Sequence, residues 1–125
     1  MIIIAKKKQK KNTVPKTVPI TYPHFRRYKQ EEGGSDKRAR HPKVIMRKKN
    51  DTYDFIGLTE SSKRGHHKNI PLFKNPEKGN SSPAYFRDEV RNLPTERFSE
   101  PLKNYKLSAK DKKQAWSIYE KRKKK

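Results

Sequence analysis

Two apolar stretches separated by a turn signal form the strongest structural pattern in this chain. KVIMRKK (residues 43–49) and TYDFIGLT (residues 52–59) are rich in β-branched and aromatic residues, and Asn50-Asp51 lies between them. Runs of this kind on either side of a short polar turn are typical of a β-hairpin. The pattern therefore predicts one strand over 43–49 and a second over 52–59.

Two shorter runs downstream predict further strands. KNIPLF (residues 68–73) is a short strand candidate. Its Pro71 places it at a sheet edge or a bulge, because proline cannot donate to a ladder. AYFRDEV (residues 84–90) predicts a fourth strand with alternate side chains on one face, namely Ala84, Phe86 and Val90.

A helix is predicted over about 108–121. Ser108 is a good N-cap with Asp111 three residues on, an aspartate variant of the capping box. Apolar side chains follow on one helical face, namely Ala115, Trp116 and Tyr119. The lysine-rich end, 121–125, complements the helix dipole and forms a basic tail.

Residues 1–39 have the composition of a basic, largely disordered arm. A lysine run is followed by Pro15, Pro19 and Pro23 and then by EEGGSD. The segment VPITYPHFRRY is the exception, since its apolar side chains allow it to dock on the domain. The compact domain is expected over 40–120, as a mainly β fold with a C-terminal α-helix packed on a small curved sheet or barrel.

Charge narrows the choice of partners. The formal net charge is +21 and the apolar fraction is 29%. So basic a chain favours polyanions, and nucleic acid fits better than a membrane surface because no long basic amphipathic helix is present. No run approaches the roughly 20 apolar residues of a membrane span, and the charges at the start follow the apolar run, opposite to a signal peptide. We expect a cytoplasmic protein.

The sequence lacks the residues that several kinds of chemistry require. The chain has no cysteine, which excludes disulfides and thiolate zinc sites. No nucleotide-binding loop is present, and no carboxylate pair has a useful spacing. His66-His67 lacks a carboxylate nearby in sequence, whereas a metal site wants three or four ligands. We therefore predict no metal and no cofactor.

Acid–base chemistry on RNA remains open. Cleavage by the 2′-hydroxyl needs a base, a cation at the phosphate and hydrogen-bond donors, and no metal. His41, Arg40 and Thr59 supply these types, and hairpin pairing would bring His41 and Thr59 to the same end. The alternative is a strand-entrance histidine and a strand-exit threonine with no shared task. The predicted nucleic-acid contacts are Arg47, Arg64, His66, His67, Lys68, Arg87 and Arg91.

The sequence also resembles a known family. ARHPKVIMRKK…FIGLTES resembles the Arg-Pro-x-x-Val-Ile…Thr-Ser segment of the MazF/PemK-like toxins of toxin–antitoxin systems. Further on, Val90-Arg91, Arg97-Phe98 and Leu107-Ser108-x-x-Asp111 are similar to that family's closing pattern. The resemblance covers about residues 40–120. It implies an SH3-like β-barrel, often a homodimer, that cleaves single-stranded RNA without metal and is paired with an acidic antitoxin.

The chain departs from that pattern in two places. The family's catalytic arginine before proline falls on His41, while its catalytic threonine maps onto Thr59. Either the histidine has become the acid/base, or catalysis is lost and RNA binding remains. Upstream, VPITYPHF is a poor, proline-broken strand, which predicts an incomplete barrel. The alternative function is a non-catalytic nucleic-acid-binding or ribosome-associated protein, for instance from a mobile genetic element.

Overall fold

The structure, a computed structural model, describes residues 20–29, 41–64 and 67–123, without the side chains of Arg64 and His67. Most of the predicted basic arm thus lies outside the described residues. The described elements are strands β1 (His24–Arg26), β2 (Lys43–Lys49), β3 (Thr52–Thr59), β4 (Lys63–Arg64), β5 (His67–Lys68), β6 (Ile70–Pro71), β7 (Tyr85–Phe86) and β8 (Arg91–Pro94), a 3-10 turn (Thr95–Arg97) and helix α1 (Ala109–Arg122).

Six strands form one antiparallel sheet in the order β1-β2-β3-β7-β6, and β8 also pairs with β3. Strands β4 and β5 make a separate two-stranded ribbon. The prediction of a mainly β domain with one C-terminal helix is confirmed. Over the described residues the sheet does not close into a barrel. None of those residues forms a helix long and apolar enough to cross a membrane.

The predicted hairpin is the centre of the sheet. Its register pairs Lys43 with Gly57 and Val44 with Ile56, with a bulge between Ile45 and Arg47. Asn50 begins the turn with a φ of 52°, a left-handed conformation that asparagine tolerates better than most residues. The apolar runs and the turn signal therefore specify both strands at the predicted bounds.

The segment assigned to the arm contributes an unexpected strand. β1 pairs with β2, with Phe25 opposite Val44, and the Phe25 side chain is 2% exposed. On its other side the segment meets residues 97–102 through backbone bonds from Lys29 N to Arg97 O (2.8 Å) and from Leu102 N to Phe25 O (2.8 Å). Burial of Phe25 holds this stretch on the sheet despite its prolines, so the folded part extends upstream of residue 40.

The predicted fourth strand is interrupted. β7 covers only Tyr85–Phe86, and the chain rejoins β3 at β8. Between them the Asp88 carboxylate accepts two bonds from the Arg122 guanidinium, at 2.8 and 3.1 Å. This ion pair links the intervening residues to the helix, and within this stretch the Arg87 amide donates to the Gly57 carbonyl of β3 at 2.9 Å. The prediction of one continuous strand over 84–90 is therefore wrong.

Helix α1 begins one residue later than predicted and ends one later. Ser108 is the N-cap, and its hydroxyl oxygen accepts from the Asp111 amide at 3.1 Å. The buried Asp111 carboxylate in turn accepts from the amides of Phe73 (2.6 Å) and Lys74 (3.1 Å). The start of the helix is thereby tied to the loop that follows β6.

Hydrophobic side chains cover both faces of the hairpin. The helix-facing core is made by Phe25, Val44, Met46, Ile56, Leu58, Phe86, Leu107, Ala115, Ile118 and Tyr119. The opposite face packs Ile45, Tyr53, Phe55 and Phe98, with Tyr28 and Leu93 at its margin. Because both faces are covered, the sheet presents functional groups mainly at its ends.

A buried polar contact joins the sheet to the helix. The Asp54 carboxylate accepts from the Tyr119 hydroxyl at 2.6 Å and from Asn92 Nδ2 at 2.8 Å, and Lys49 Nζ lies 3.3 Å away. Burial alone would raise the pKa of Asp54, but these three donors outweigh it and lower the pKa. Burial, followed by the bond to Asp54, raises the pKa of Tyr119 to about 12.

Candidate functional site

His41 and Thr59 lie at one end of the hairpin and line the same cavity. The pairing of Lys43 with Gly57 brings the start of β2 beside the end of β3. The cavity has a volume of about 330 Å³. Its lining is completed by Pro42, Leu58, Glu60, Asn75, Pro76, Glu77, Asn80, Ala84 and Tyr105. Two of the residues proposed for catalysis are thus brought together by strand register.

Thr59 is positioned by a local turn. Thr59 is 8% exposed, and its Oγ1 accepts a hydrogen bond from the Ser61 amide at 3.2 Å. A hydroxyl that accepts one bond keeps its own hydrogen as a donor. The Thr59 hydroxyl can therefore donate to an anion in the cavity.

The far wall of the cavity is a loop fixed by its own side chains. Asn75 Oδ1 accepts from the Glu77 amide at 2.9 Å, and Asn80 Nδ2 donates to the Glu77 carboxylate at 2.9 Å. The Tyr105 hydroxyl accepts from the Arg27 guanidinium at 2.8 Å. Burial raises the pKa of Tyr105, against the influence of Arg27, so the phenol stays protonated at neutral pH.

A second, smaller cleft of about 70 Å³ adjoins the cavity. His41 and Leu58 line both spaces. The cleft is lined mainly by cationic and aromatic groups on the face opposite the helix: Tyr28, Lys43, Phe55, Gly57, Arg87, Glu89 and Arg91. Three basic side chains against one carboxylate make this cleft a suitable place for an anion.

Lys43 forms the base of the cleft. It is 5% exposed, its ammonium donates to the carbonyl oxygen of His41 at 2.6 Å, and Nζ lies 4.0 Å from the centre of the Tyr28 ring. The carbonyl and the π face both stabilise the buried charge. The same bond from Lys43 fixes the backbone that carries His41.

Arg87 packs closely over Gly57. A Cβ built on Gly57 would lie 3.2 Å from Arg87 Cδ. The Arg87 amide also donates to the Gly57 carbonyl at 2.9 Å, which holds the arginine against β3. The missing side chain at position 57 therefore lets the guanidinium stem lie flat along the floor of the cleft.

We expect Gly57→Ala to weaken anion binding more than it changes stability. The added methyl group displaces the flexible Arg87 side chain by a few tenths of an ångström, and alanine gains strand propensity, so unfolding should change by less than about 1 kcal/mol. The displacement of Arg87 should weaken RNA binding by roughly fivefold, or about 1 kcal/mol, which is less than the loss of a whole hydrogen bond to a charged group. Thermal unfolding and fluorescence anisotropy measure the two effects. A large loss of stability at unchanged affinity would contradict this account.

The other predicted contacts do not gather at this site. Arg47 lies toward the opposite end of the hairpin, opposite Asp54, with its guanidinium 5.4 Å from the Tyr119 ring. Lys68 is exposed on the ribbon of β4 and β5. Arg40 and His66, and the side chains of Arg64 and His67, lie outside the described residues. Arg87 and Arg91 thus carry the predicted contacts at the cleft.

Sequence reasoning missed several lining residues. Tyr28 was placed in the arm, and Lys43 was counted only as a strand residue. Asn75, Glu77 and Tyr105 reach the cavity from two separate loops. A lysine directly before the apolar run Val44–Met46 was the available signal for Lys43. No local sequence pattern predicts that the loop residues line the cavity, because long-range packing brings them there.

The aromatic residues that could stack on bases differ in their exposure to solvent. Tyr53 is 7% exposed and packs in the cluster on the face opposite the helix, whereas Phe73 is 69% exposed. Within the part of the chain that the structure describes, no group of three or more His, Cys, Asp or Glu side chains is placed to hold a metal ion.

Comparisons with models of protein families, with curated proteins and with solved structures found no match for this chain.

Proposed function

We propose that this protein binds single-stranded RNA and holds a backbone phosphate in the cleft beside His41. One observation carries the proposal: Lys43, Arg87 and Arg91 converge on a cleft that opens next to the cavity of His41 and Thr59. A planar guanidinium suits a phosphate because it can donate two parallel bonds. The choice of RNA follows from the resemblance described above.

The net charge supports the same function. A charge of +21 would attract any polyanion over a broad surface. The cleft adds a defined position, in which a fixed cation and two arginines can hold one phosphate. Contacts to phosphate supply affinity and register without reading sequence. Binding should therefore be strong at low salt and weakly selective among single strands.

Arg91→Gln, compared with Arg47→Gln, tests this proposal. Both arginines are exposed and lie over an aromatic ring, at 5.9 Å for Arg91 over Phe55 and 5.4 Å for Arg47 over Tyr119. We expect Arg91→Gln to weaken binding of a single-stranded RNA roughly fivefold and to reduce the salt slope by about 0.7, the value of one phosphate contact. Arg47→Gln should leave both unchanged. Equal losses would show binding to be diffuse, and no binding by the wild type would overturn the proposal.

A second candidate function, cleavage of the bound RNA, is favoured by the cavity shared by His41 and Thr59. His41 would take the proton of the 2′-hydroxyl as its oxygen attacks phosphorus. The bond from phosphorus to the 5′-oxygen then breaks, and that oxygen takes up a proton. The Thr59 hydroxyl and Arg87 would donate to the phosphate oxygens. The products are a 2′,3′-cyclic phosphate end and a 5′-hydroxyl end, with no metal required.

An acidic antitoxin-like partner and a homodimer follow from the same resemblance and stay predictions. A cytoplasmic location is likewise a prediction from the sequence.

A further inference from the structure

We propose that the groove between the 74–81 loop and the start of helix α1 carries the RNA strand onward from the His41 cavity. This proposal rests on the proposed function and adds a second contact surface to it. The groove has a volume of about 990 Å³. It would accommodate the nucleotides that adjoin the phosphate held in the cleft.

The groove adjoins the cavity. Five residues line both of them, namely Asn75, Pro76, Glu77, Asn80 and Tyr105. The groove is lined by residues 74–81, residues 103–109 and Lys112. A strand held in the cavity therefore has the groove directly beside it.

The charge of the groove suits a polyanion. Five exposed lysines line it, namely Lys74, Lys78, Lys103, Lys106 and Lys112. Glu77 is the one acidic residue among the described residues that line the groove. Its carboxylate already accepts a hydrogen bond from Asn80 at 2.9 Å. Lysines spaced along a groove contact successive phosphates without selecting bases.

The walls of the groove are joined by backbone hydrogen bonds. Lys78 N donates to Asn104 O and Lys106 N donates to Pro76 O, each at 2.9 Å. At the helix end, the Asp111 carboxylate holds the amides of Phe73 and Lys74. A groove already held in shape loses less conformational entropy on binding than a loop that must become ordered.

An exposed aromatic ring stands at the same end of the helix. Phe73 is 69% exposed, and Lys110 Nζ lies 4.7 Å from the centre of its ring. A flat ring next to lysines is the usual platform for an unpaired base in single-strand binding proteins. Phe73 therefore gives the strand a stacking position near Lys74.

Binding of two oligouridines, of about 4 and about 12 nucleotides, distinguishes contacts in the groove from contacts in the cleft. The longer one has the length of a typical single-strand binding site. The groove variant combines Lys103→Gln, Lys106→Gln and Lys112→Gln. Its control combines Lys48→Gln, Lys113→Gln and Lys121→Gln, which removes the same charge from exposed lysines outside the groove. Anisotropy titrations at several salt concentrations give affinity and salt slope, and thermal unfolding checks each variant.

We expect the groove variant to bind the long oligouridine at least tenfold more weakly, with a salt slope smaller by about 2, and to bind the short one like the wild type. Phe73→Ala should also weaken the long oligouridine alone. The control variant should match the wild type on the long one. Equal wild-type affinity for both lengths, or equal losses in the groove and control variants, would overturn the groove while leaving the proposed function intact.

Two other results would also decide the matter. If the wild type binds neither oligouridine, the proposed function fails and the groove proposal falls with it. A polyglutamate peptide that binds as tightly as the long oligouridine, and loses its affinity equally in the groove variant, would reassign the groove to an acidic protein and overturn the proposal.

Discussion

A His41→Ala variant should cleave single-stranded RNA at least about 100-fold more slowly than the wild type, the usual contribution of a general base. In the structure His41 lines both the cavity with Thr59 and the cleft with Arg87. Removing its ring removes the proposed base and leaves the cations of the cleft in place. Incubation with a mixed-sequence RNA in EDTA, followed by analysis of the product ends, measures the effect. Thr59→Ala should slow cleavage by about tenfold, the loss of one hydrogen bond to the transition state.

A second histidine provides the control for this experiment. His24 Nε2 accepts from Arg26 Nε at 2.8 Å, and burial, followed by the charge of Arg26, lowers the pKa of His24 to about 4. His24 belongs to β1, outside the residues that line the cavity, and His24→Gln should cleave like the wild type. Full activity in His41→Ala would exclude the assignment. RNA binding without cleavage by the wild type would leave binding as the function.

Tyr119→Phe should lower the free energy of unfolding by about 2 kcal/mol, because it removes a hydrogen bond to a buried carboxylate. The hydroxyl of Tyr119 donates to Asp54 at 2.6 Å, and both residues are at most 4% exposed. The ring itself remains and keeps its packing. Chemical denaturation of the two proteins at neutral pH gives the difference directly.

The same contact sets the pH dependence of stability. The pKa of Asp54 is lowered from its ordinary 3.8, so its contribution is present above that pH and is lost as the pH falls through the folded value. The pKa of Tyr119 is raised from 10.0 to about 12, so its contribution is complete below pH 10.0 and is lost as the pH rises toward 12. Tyr119→Phe should therefore flatten the alkaline decline and reduce the acidic one.

A double-mutant cycle with Asp54→Asn isolates the pair. In the Asp54→Asn background, loss of the Tyr119 hydroxyl should cost less, because the acceptor is no longer charged. We expect a coupling energy of about 1–2 kcal/mol, within the usual range for residues in contact. Additive effects of the two substitutions would contradict the role given to this bond.

The sequence predicted the hairpin and the helix because their signals are local. The apolar runs at 43–49 and 52–59 flank a turn, and Ser108 caps the helix it was expected to cap. The strand at His24–Arg26 was missed because Pro23 disfavours a strand locally. Its position depends on burial of Phe25 and on bonds to residues 97–102, which only the tertiary fold supplies.

The candidate site was also predictable only where local structure positions its residues. His41 and Thr59 were expected to meet because hairpin register is a local property. Arg87 and Arg91 were named from charge alone, and the interruption between β7 and β8 was not foreseen. Arg87 reaches the cleft through the absence of a side chain at Gly57, a contact between β3 and the segment after β7 that composition does not reveal.

Two carboxylates attach the helix to the rest of the domain from opposite directions. Asp111, on the helix, holds the amides of Phe73 and Lys74, while Asp54, on the sheet, holds the hydroxyl of Tyr119. Peeling the helix away would leave both carboxylates without these donors and would uncover the main core. Detaching the helix alone is therefore costly, and we expect the domain to melt cooperatively, as one thermodynamic unit.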